Sequence, residues 1–158
     1  MNYKILAIDM DDTLLSGDLT ISNRTQKAIH AAEDKGVKIV IATGRMYSSA
    51  LPHLTELGLT GEVITYNGAL VKEINSNHIV DHTPVPLDLA REIIELVRAE
   101  DLHLNICLDD ILYVNKLGDE AKYYEEISGV KPVLVTKNIS QFLDQPSTKL
   151  LIIEEDLD

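Results

Sequence analysis

Ile5-Leu6-Ala7-Ile8-Asp9-Met10-Asp11-Asp12-Thr13-Leu14-Leu15 is the stretch that decides the fold. Its four consecutive apolar residues show no alternation, so the reading is a strand over residues 4–9 buried on both faces, as in parallel α/β sheets. Three carboxylates follow within four positions. Ligands bind open parallel sheets at the carboxyl ends of the strands, and residues two apart in an extended segment point the same way. Asp9 and Asp11 are therefore expected to converge at that edge, where they repel unless a cation binds or one stays protonated. Hard oxygen donors of this kind suit Mg²⁺, which favours phosphate as a further ligand. A solvated acidic turn, or an acidic cap on a following helical turn, is the plainer reading of the same acids.

The next elements repeat the pattern. Ser22 is placed to cap a helix over residues 23–35 that presents Thr25, Ala28, Ile29 and Ala32 on one face and ends at Gly36. A second apolar strand is expected over 37–42. Strand, helix and strand in this order predict a right-handed parallel unit. Thr43-Gly44-Arg45 comes next, before a helix over 46–57 that contains Pro52. A hydroxyl, a glycine amide and a helix N-terminus make an anion site, although an ordinary strand-to-helix turn reads the same way. A third strand over 63–66 runs into Asn67-Gly68, a hairpin-turn signal and a candidate part of the substrate surroundings. Residues 69–73 and 78–82 read as a hairpin.

Beyond residue 83 the pattern changes. A helix over 87–100 carries Leu89, Ile93, Leu96, Val97 and Glu100 along one face. Strands are expected over 103–108 and 111–114, joined tightly at Asp109-Asp110. A short helix over 119–127, a strand over 133–136, a helical turn over 139–143 and a last strand over 149–154 complete the chain. Pro84 and Pro86 mark a boundary near residues 82–86. Residues 1–82 hold 10 acids and 7 bases, and residues 83–158 hold 16 acids and 7 bases, a shift that also indicates two modules.

Composition narrows the function. The 158-residue chain is 45% apolar, enough for an aliphatic core, and its net charge of −12 argues against nucleic acid or an anionic membrane as partner. The lone cysteine, Cys107, reads as a buried small hydrophobe. No charge-free apolar run approaches the roughly 18 residues of a membrane span, so a cytoplasmic protein is expected. His30, His53, His78, His82 and His103 show no metal-ligand spacing, and His78 and His82 read as surface residues.

Taken together, these segments resemble a known family. Asp9-Met10-Asp11-Asp12-Thr13-Leu14-Leu15 is similar to the first motif of the haloacid dehalogenase-like (HAD) superfamily, and Ile41-Ala42-Thr43-Gly44-Arg45 to its second. Ile64-Thr65-Tyr66-Asn67-Gly68-Ala69 is similar to the stretch that marks the Cof-type sugar-phosphate phosphatases. The resemblance implies an α/β fold: a HAD-type Rossmann-like parallel core over 1–82, incomplete here, with a partial α/β cap over 83–158. It implies Asp9 as nucleophile and Asp11 as acid and base, with Mg²⁺ on the Asp9 carboxylate and the Asp11 backbone carbonyl. Met10, Thr43, Gly44, Arg45, Asn67 and Gly68 would surround the phosphate, and residues 16–21 would form a mobile flap. The expected partner is a small phosphorylated metabolite.

The family also carries a lysine motif and a Gly-Asp-x-x-Asn-Asp motif after the cap. Gly118-Asp119-Glu120-Ala121-Lys122-Tyr123 departs from the latter at Lys122 and Tyr123, and Lys149 opens a cap-like strand. The chain alone is therefore expected to be weakly active or inactive, and to expose a core edge through which it could self-associate. The competing function is a non-catalytic fragment that binds phosphate or pairs with a separately encoded remainder. A phospho-acceptor receiver domain fits worse, because no acid ends the second or third core strand.

Overall fold

The structure, a computed structural model, describes residues 3–136 and 138–154. The outer ends of the two expected modules, residues 1 and 158, lie outside the described residues. Two compact units divide between Asp81 and His82.

The first unit is built on a five-stranded sheet in the order β1-β2-β3-β4-β5, formed by β1 (Ile5–Asp9), β2 (Lys38–Ala42), β3 (Glu62–Thr65), β4 (Leu70–Glu73) and β5 (Ile79–His82). The first three run parallel, and β4 returns antiparallel to β3. α1 (Asn23–Glu33) connects β1 to β2, and the Ser22 hydroxyl accepts from the Thr25 amide at its start, a true N-cap. Gly36, at φ +77°, makes the left-handed exit that favours glycine. α2 (Tyr47–Glu56) connects β2 to β3. Pro52 sits inside it, where it removes one helical hydrogen bond. Tyr47 is buried, and its hydroxyl donates to the Glu73 carbonyl and accepts from the Asn75 amide, tying α2 to the β4–β5 hairpin.

One expectation fails in this unit. β1 is not buried on both faces: Ile5 is 59% and Leu6 44% exposed. The physical reason is position. Among the described residues β1 ends the strand order and pairs with β2 alone, so its apolar run lies on a sheet edge. The third strand also stops one residue early, because Tyr66 adopts φ +53° and leaves the sheet.

The second unit holds a four-stranded sheet in the order β8-β7-β6-β9, from β6 (His103–Leu108), β7 (Ile111–Val114), β8 (Val133–Leu134) and β9 (Lys149–Ile153). α3 (Leu87–Ala99), α4 (Asp119–Ser128) and α5 (Ile139–Phe142) accompany it. Asp109 and Asp110 both take positive φ in the tight β6–β7 turn, as two-residue hairpins require. β6 is central and buried along its whole length. Leu104 and Ile106 pack with Ala90, Ile94 and Val97 of α3 and with Leu143. Of the face read from the sequence, Val97 is buried and Ile93 packs against the cluster, but Ala90 and Ile94 complete the inward stripe while Leu89 and Leu96 are 48% and 68% exposed. β8 has only two residues against the four expected.

Cys107, as expected, is buried, and burial pushes its thiol up to about 12. Among the described residues no helix is long and apolar enough to cross a membrane.

Two outcomes follow from this packing. Ile94→Ala is expected to cost about 2–5 kcal/mol in urea unfolding, while Leu96→Ala stays within about 0.5 kcal/mol. Native Cys107 is expected to alkylate at pH 8 about 1,000-fold more slowly than in the denatured chain, since the thiolate is the reactive form; comparable rates would show that the thiol is not buried in solution.

Candidate functional site

β1 and β2 pair in parallel with Asp9 opposite Ala42, and β2 and β3 pair with Ala42 opposite Ile64. Three strand ends therefore lie side by side, and the turns that leave them share one edge of the sheet.

The turn after β1, Met10–Leu14, is irregular and is closed by the Leu15 amide donating to the Met10 carbonyl at 2.8 Å. Met10, Leu14 and Leu15 are buried, whereas Asp9, Asp11, Asp12 and Thr13 are exposed. The apolar members pin the turn to the core and leave its acids in water, so the charges need no burial. Asp9 and Asp11 both keep extended backbones, at φ −71°, ψ 151° and φ −77°, ψ 137°. Asp12 takes φ +55°, a conformation aspartate tolerates better than most residues.

The turns after β2 and β3 are knitted together. The Thr43 amide donates to the Ile64 carbonyl at 2.9 Å, the Asn67 amide to the Thr43 carbonyl at 3.1 Å, and the Tyr66 amide to the Arg45 carbonyl at 2.9 Å. The Thr43 hydroxyl accepts from the Arg45 amide at 3.1 Å, which leaves its proton available for an acceptor. α2 begins only at Tyr47, so Thr43 and Gly44 lie in the loop ahead of the helix and not in its first turn. Asn67 and Gly68 take φ +57° and +98°, as the Asn-Gly signal implies. A Cβ on Gly44 would lie 2.6 Å from the Asn67 Oδ1, closer than atoms pack, so glycine is what lets the Asn67 side chain lie against this turn.

Asp9, Ala42, Thr43, Gly44, Ile64, Asn67 and Gly68 line one open cavity of about 370 Å³. Five of the eight residues singled out in the sequence thus meet in one place. Met10 does not line it with its side chain, which is wholly buried. Arg45 and Asp11 pair with each other instead: the Arg45 Nη2 lies 2.7 Å from the Asp11 Oδ1. Ser49, which accepts from the Arg45 Nη1 at 3.3 Å, was not singled out; nothing in a helical serine announces that role.

The Asp9 carboxylate has no hydrogen-bond or ion-pair partner among the described residues. No three His, Cys, Asp or Glu side chains among them cluster tightly enough to hold a metal on their own. Mg²⁺ asks for less from the protein: one or two carboxylates, with water and phosphate oxygens completing the shell. An uncommitted, exposed Asp9 beside the cavity fits one side of such a site. The Asp11 side chain, already held by Arg45, fits it less well than the Asp11 backbone carbonyl would.

Next to the acidic turn lies the loop expected to form a flap. The Ser16 amide donates to the Thr20 carbonyl, and the Ser16 and Thr20 hydroxyls both donate to the Asp18 Oδ1. These bonds hold the exposed Asp18 carboxyl below its usual range.

Comparison with known proteins now settles the family. The model for haloacid dehalogenase-like hydrolases matches residues 6–158. The chain belongs to this family. As a haloacid dehalogenase-like hydrolase it is 32% identical over 117 residues to the Bacillus subtilis 5-amino-6-(5-phospho-D-ribitylamino)uracil phosphatase YitU, covering 69% of this chain and 42% of YitU. It is 27% identical over 143 residues to the Escherichia coli pyridoxal phosphate phosphatase YbhA, covering 90% of this chain and 48% of YbhA. Among solved structures, TM0651 from Thermotoga maritima superimposes with a TM-score of 0.83 at 31% identity, over 97% of this chain and 57% of that one. The chain thus spans less than half the length of these two phosphatases.

Two measurements test this geometry. Gly44→Ala is expected to displace the exposed Asn67 side chain and leave the fold standing, with a stability loss of about 1 kcal/mol or less and moved Asn67 side-chain amide resonances; unmoved resonances would contradict the close approach. A carboxylate held below its unfolded value stabilises structure above that value and loses the contribution as pH falls through the folded one. Hydrogen-exchange protection of the Ser16 and Leu19 amides is therefore expected to fall selectively on acidification through the aspartate range, and Asp18→Asn to remove that dependence.

Proposed function

We propose that the chain carries the nucleophile and phosphate-binding part of a Mg²⁺-dependent phosphatase for small phosphate monoesters, sugar phosphates or similar metabolites. One observation carries the reading: a single cavity is lined by an uncommitted carboxylate, Asp9, and by Thr43, Gly44, Asn67 and Gly68 from the two neighbouring strand ends. A nucleophile next to hydroxyl and amide donors is what phosphoryl transfer requires, because the protein's work there is mostly positioning and charge stabilisation. The names of YitU and YbhA, both phosphatases of small phosphorylated compounds, support the same class.

In this reading an Asp9 oxygen attacks phosphorus, and the bond to the leaving alcohol breaks as an aspartyl-phosphate forms. Asp11 takes up a proton from solvent on Oδ2, while Oδ1 stays on the Arg45 guanidinium, and gives that proton to the departing oxygen. It then takes a proton from the water that attacks the phosphorus and releases phosphate, restoring Asp9. The Thr43 hydroxyl and the Gly44 amide donate to phosphoryl oxygens throughout. Mg²⁺, when bound through Asp9 and the Asp11 carbonyl, supplies positive charge against those oxygens. We assign residues 1–82 to the catalytic core and residues 83–158 to a cap that governs substrate choice. The lone buried cysteine suits a cytoplasmic setting.

The test uses inorganic phosphate and p-nitrophenyl phosphate with the full chain and Mg²⁺. Phosphate is expected to perturb the Thr43 and Gly44 amide resonances, and any hydrolysis is expected to vanish in Asp9→Asn and on chelation by EDTA. Hydrolysis that survives Asp9→Asn would overturn the assignment of the nucleophile. Phosphate binding without turnover in the wild-type chain would favour the binding-only role.

A further inference from the structure

The cation of the second motif faces the carboxylate of the first. The Arg45 Nε donates to the Asp11 Oδ1 at 3.0 Å and to Oδ2 at 3.1 Å, and Nη2 donates to Oδ1 at 2.7 Å. From the other side of the guanidinium, Nη1 donates to Ser49 Oγ at 3.3 Å. Ser49 is buried, and the Arg45 side chain is only 12% exposed, against 47% for Asp11. The arginine is therefore built into the protein, fixed by α2 below it, while the aspartate stands at the surface. An exposed aspartate ordinarily samples several side-chain rotamers. A planar guanidinium that reaches both oxygens selects one of them, since its fork has a fixed geometry that a lysine's point charge lacks. The residues that line the cavity beside Asp9 include Thr43 and Gly44, and neither member of the Arg45–Asp11 pair.

We infer that Arg45 is a positioning residue: it fixes the orientation of the Asp11 carboxylate, two residues beyond Asp9, and is not itself a phosphate ligand. Asp11's part in proton transfer rests on the function proposed above; the orientation does not. For a group that must hand over a proton, a fixed geometry is worth a large share of the rate, and Ser49 extends the anchoring into α2. The inference also separates neighbours in the sequence. Thr43 and Gly44 serve the cavity, and Arg45, directly after them, serves the acid on the adjacent strand end.

The test compares the full wild-type chain with Arg45→Gln and Arg45→Lys by two NMR readouts. The first is the set of χ1 couplings of a selectively labelled Asp11. A single rotamer is expected in the wild type, averaging in Arg45→Gln, and partial recovery in Arg45→Lys. The second is a titration with inorganic phosphate, followed at the Thr43 and Gly44 amides. Arg45→Gln is expected to change the phosphate Kd by less than about threefold, whereas loss of a direct ligand would weaken it about tenfold or more. A single Asp11 rotamer retained in Arg45→Gln, or a tenfold loss of phosphate affinity, would overturn the inference. If the wild-type chain fails to bind phosphate, the proposed function falls, and the rotamer readout alone decides the role of Arg45.

Discussion

The parallel register of β1 on β2 is the constraint from which the site follows. Asp9 stands opposite Ala42 because Ile5 stands opposite Lys38 and every pair between them is in step. Side chains alternate between the two faces of a strand, so a slip of one residue would turn each of them over and carry Asp9 away from the cavity edge. The β1–β2 ladder is extended by the bond from the Lys38 amide to the Lys4 carbonyl, and the neighbouring β2–β3 ladder by that from the Thr43 amide to the Ile64 carbonyl. The placement of the carboxylate beside Thr43 and Gly44 is thus a property of the main chain, and side-chain chemistry is added to a frame that is already set.

That frame solves an electrostatic problem. A chain of net charge −12 that is to accept a phosphate repels it at long range, within the limits set by salt. The first unit does not answer with a basic patch, since the Arg45 cation is spent on Asp11. Beside Asp9, the residues that line the cavity are uncharged: Ala42, Thr43, Gly44, Ile64, Asn67 and Gly68. Together with the uncommitted Asp9 they leave a local excess of negative charge once phosphate is present, which is the physical case for a divalent cation in the proposed reaction. The buried Met10, Leu14 and Leu15 complete the arrangement by holding the acidic turn in place without burying its charges.

Much of this was legible in the sequence, and the failures share a cause. The order of elements, the Ser22 cap, the two-residue turn at Asp109-Asp110 and the gathering of Asp9, Thr43, Gly44, Asn67 and Gly68 all depend on local chemistry or on the rules of parallel sheets. What failed depended on position within a sheet or a packed face. The apolar Ile5-Leu6-Ala7-Ile8 lies on an edge and is largely exposed, while β6, with His103 and Asn105 among its residues, is buried throughout because it is central. Hydropathy reports what a strand tolerates; its neighbours decide what it receives. On α3 the sequence pattern places Val97 correctly on the inner face but favours Leu89 and Leu96 where the structure buries Ala90 and Ile94, sets that share helical spacing. Periodicity cannot choose between them, but the packing of Ile94 and Val97 against Leu104 and Ile106 does. The Arg45–Asp11 pair spans 34 residues, and no local pattern could foretell it.

Asn67 shows why some alternatives in a sequence are not alternatives in a structure. Asn-Gly after β3 reads either as a plain hairpin turn or as part of a ligand site, and it is both a turn and a cavity wall. The left-handed backbone that reverses the chain into β4 places the Asn67 Oδ1 against Gly44 and its amide against the Thr43 carbonyl. The turn is thereby a wall of the cavity, and glycine in the neighbouring loop leaves room for the Asn67 side chain in this position. A requirement for backbone reversal on one strand and a requirement for close approach on the next are met by one contact. This coupling explains why Thr43-Gly44 and Asn67-Gly68, separated by a helix and a strand in the sequence, act as a single structural element at the edge of the sheet.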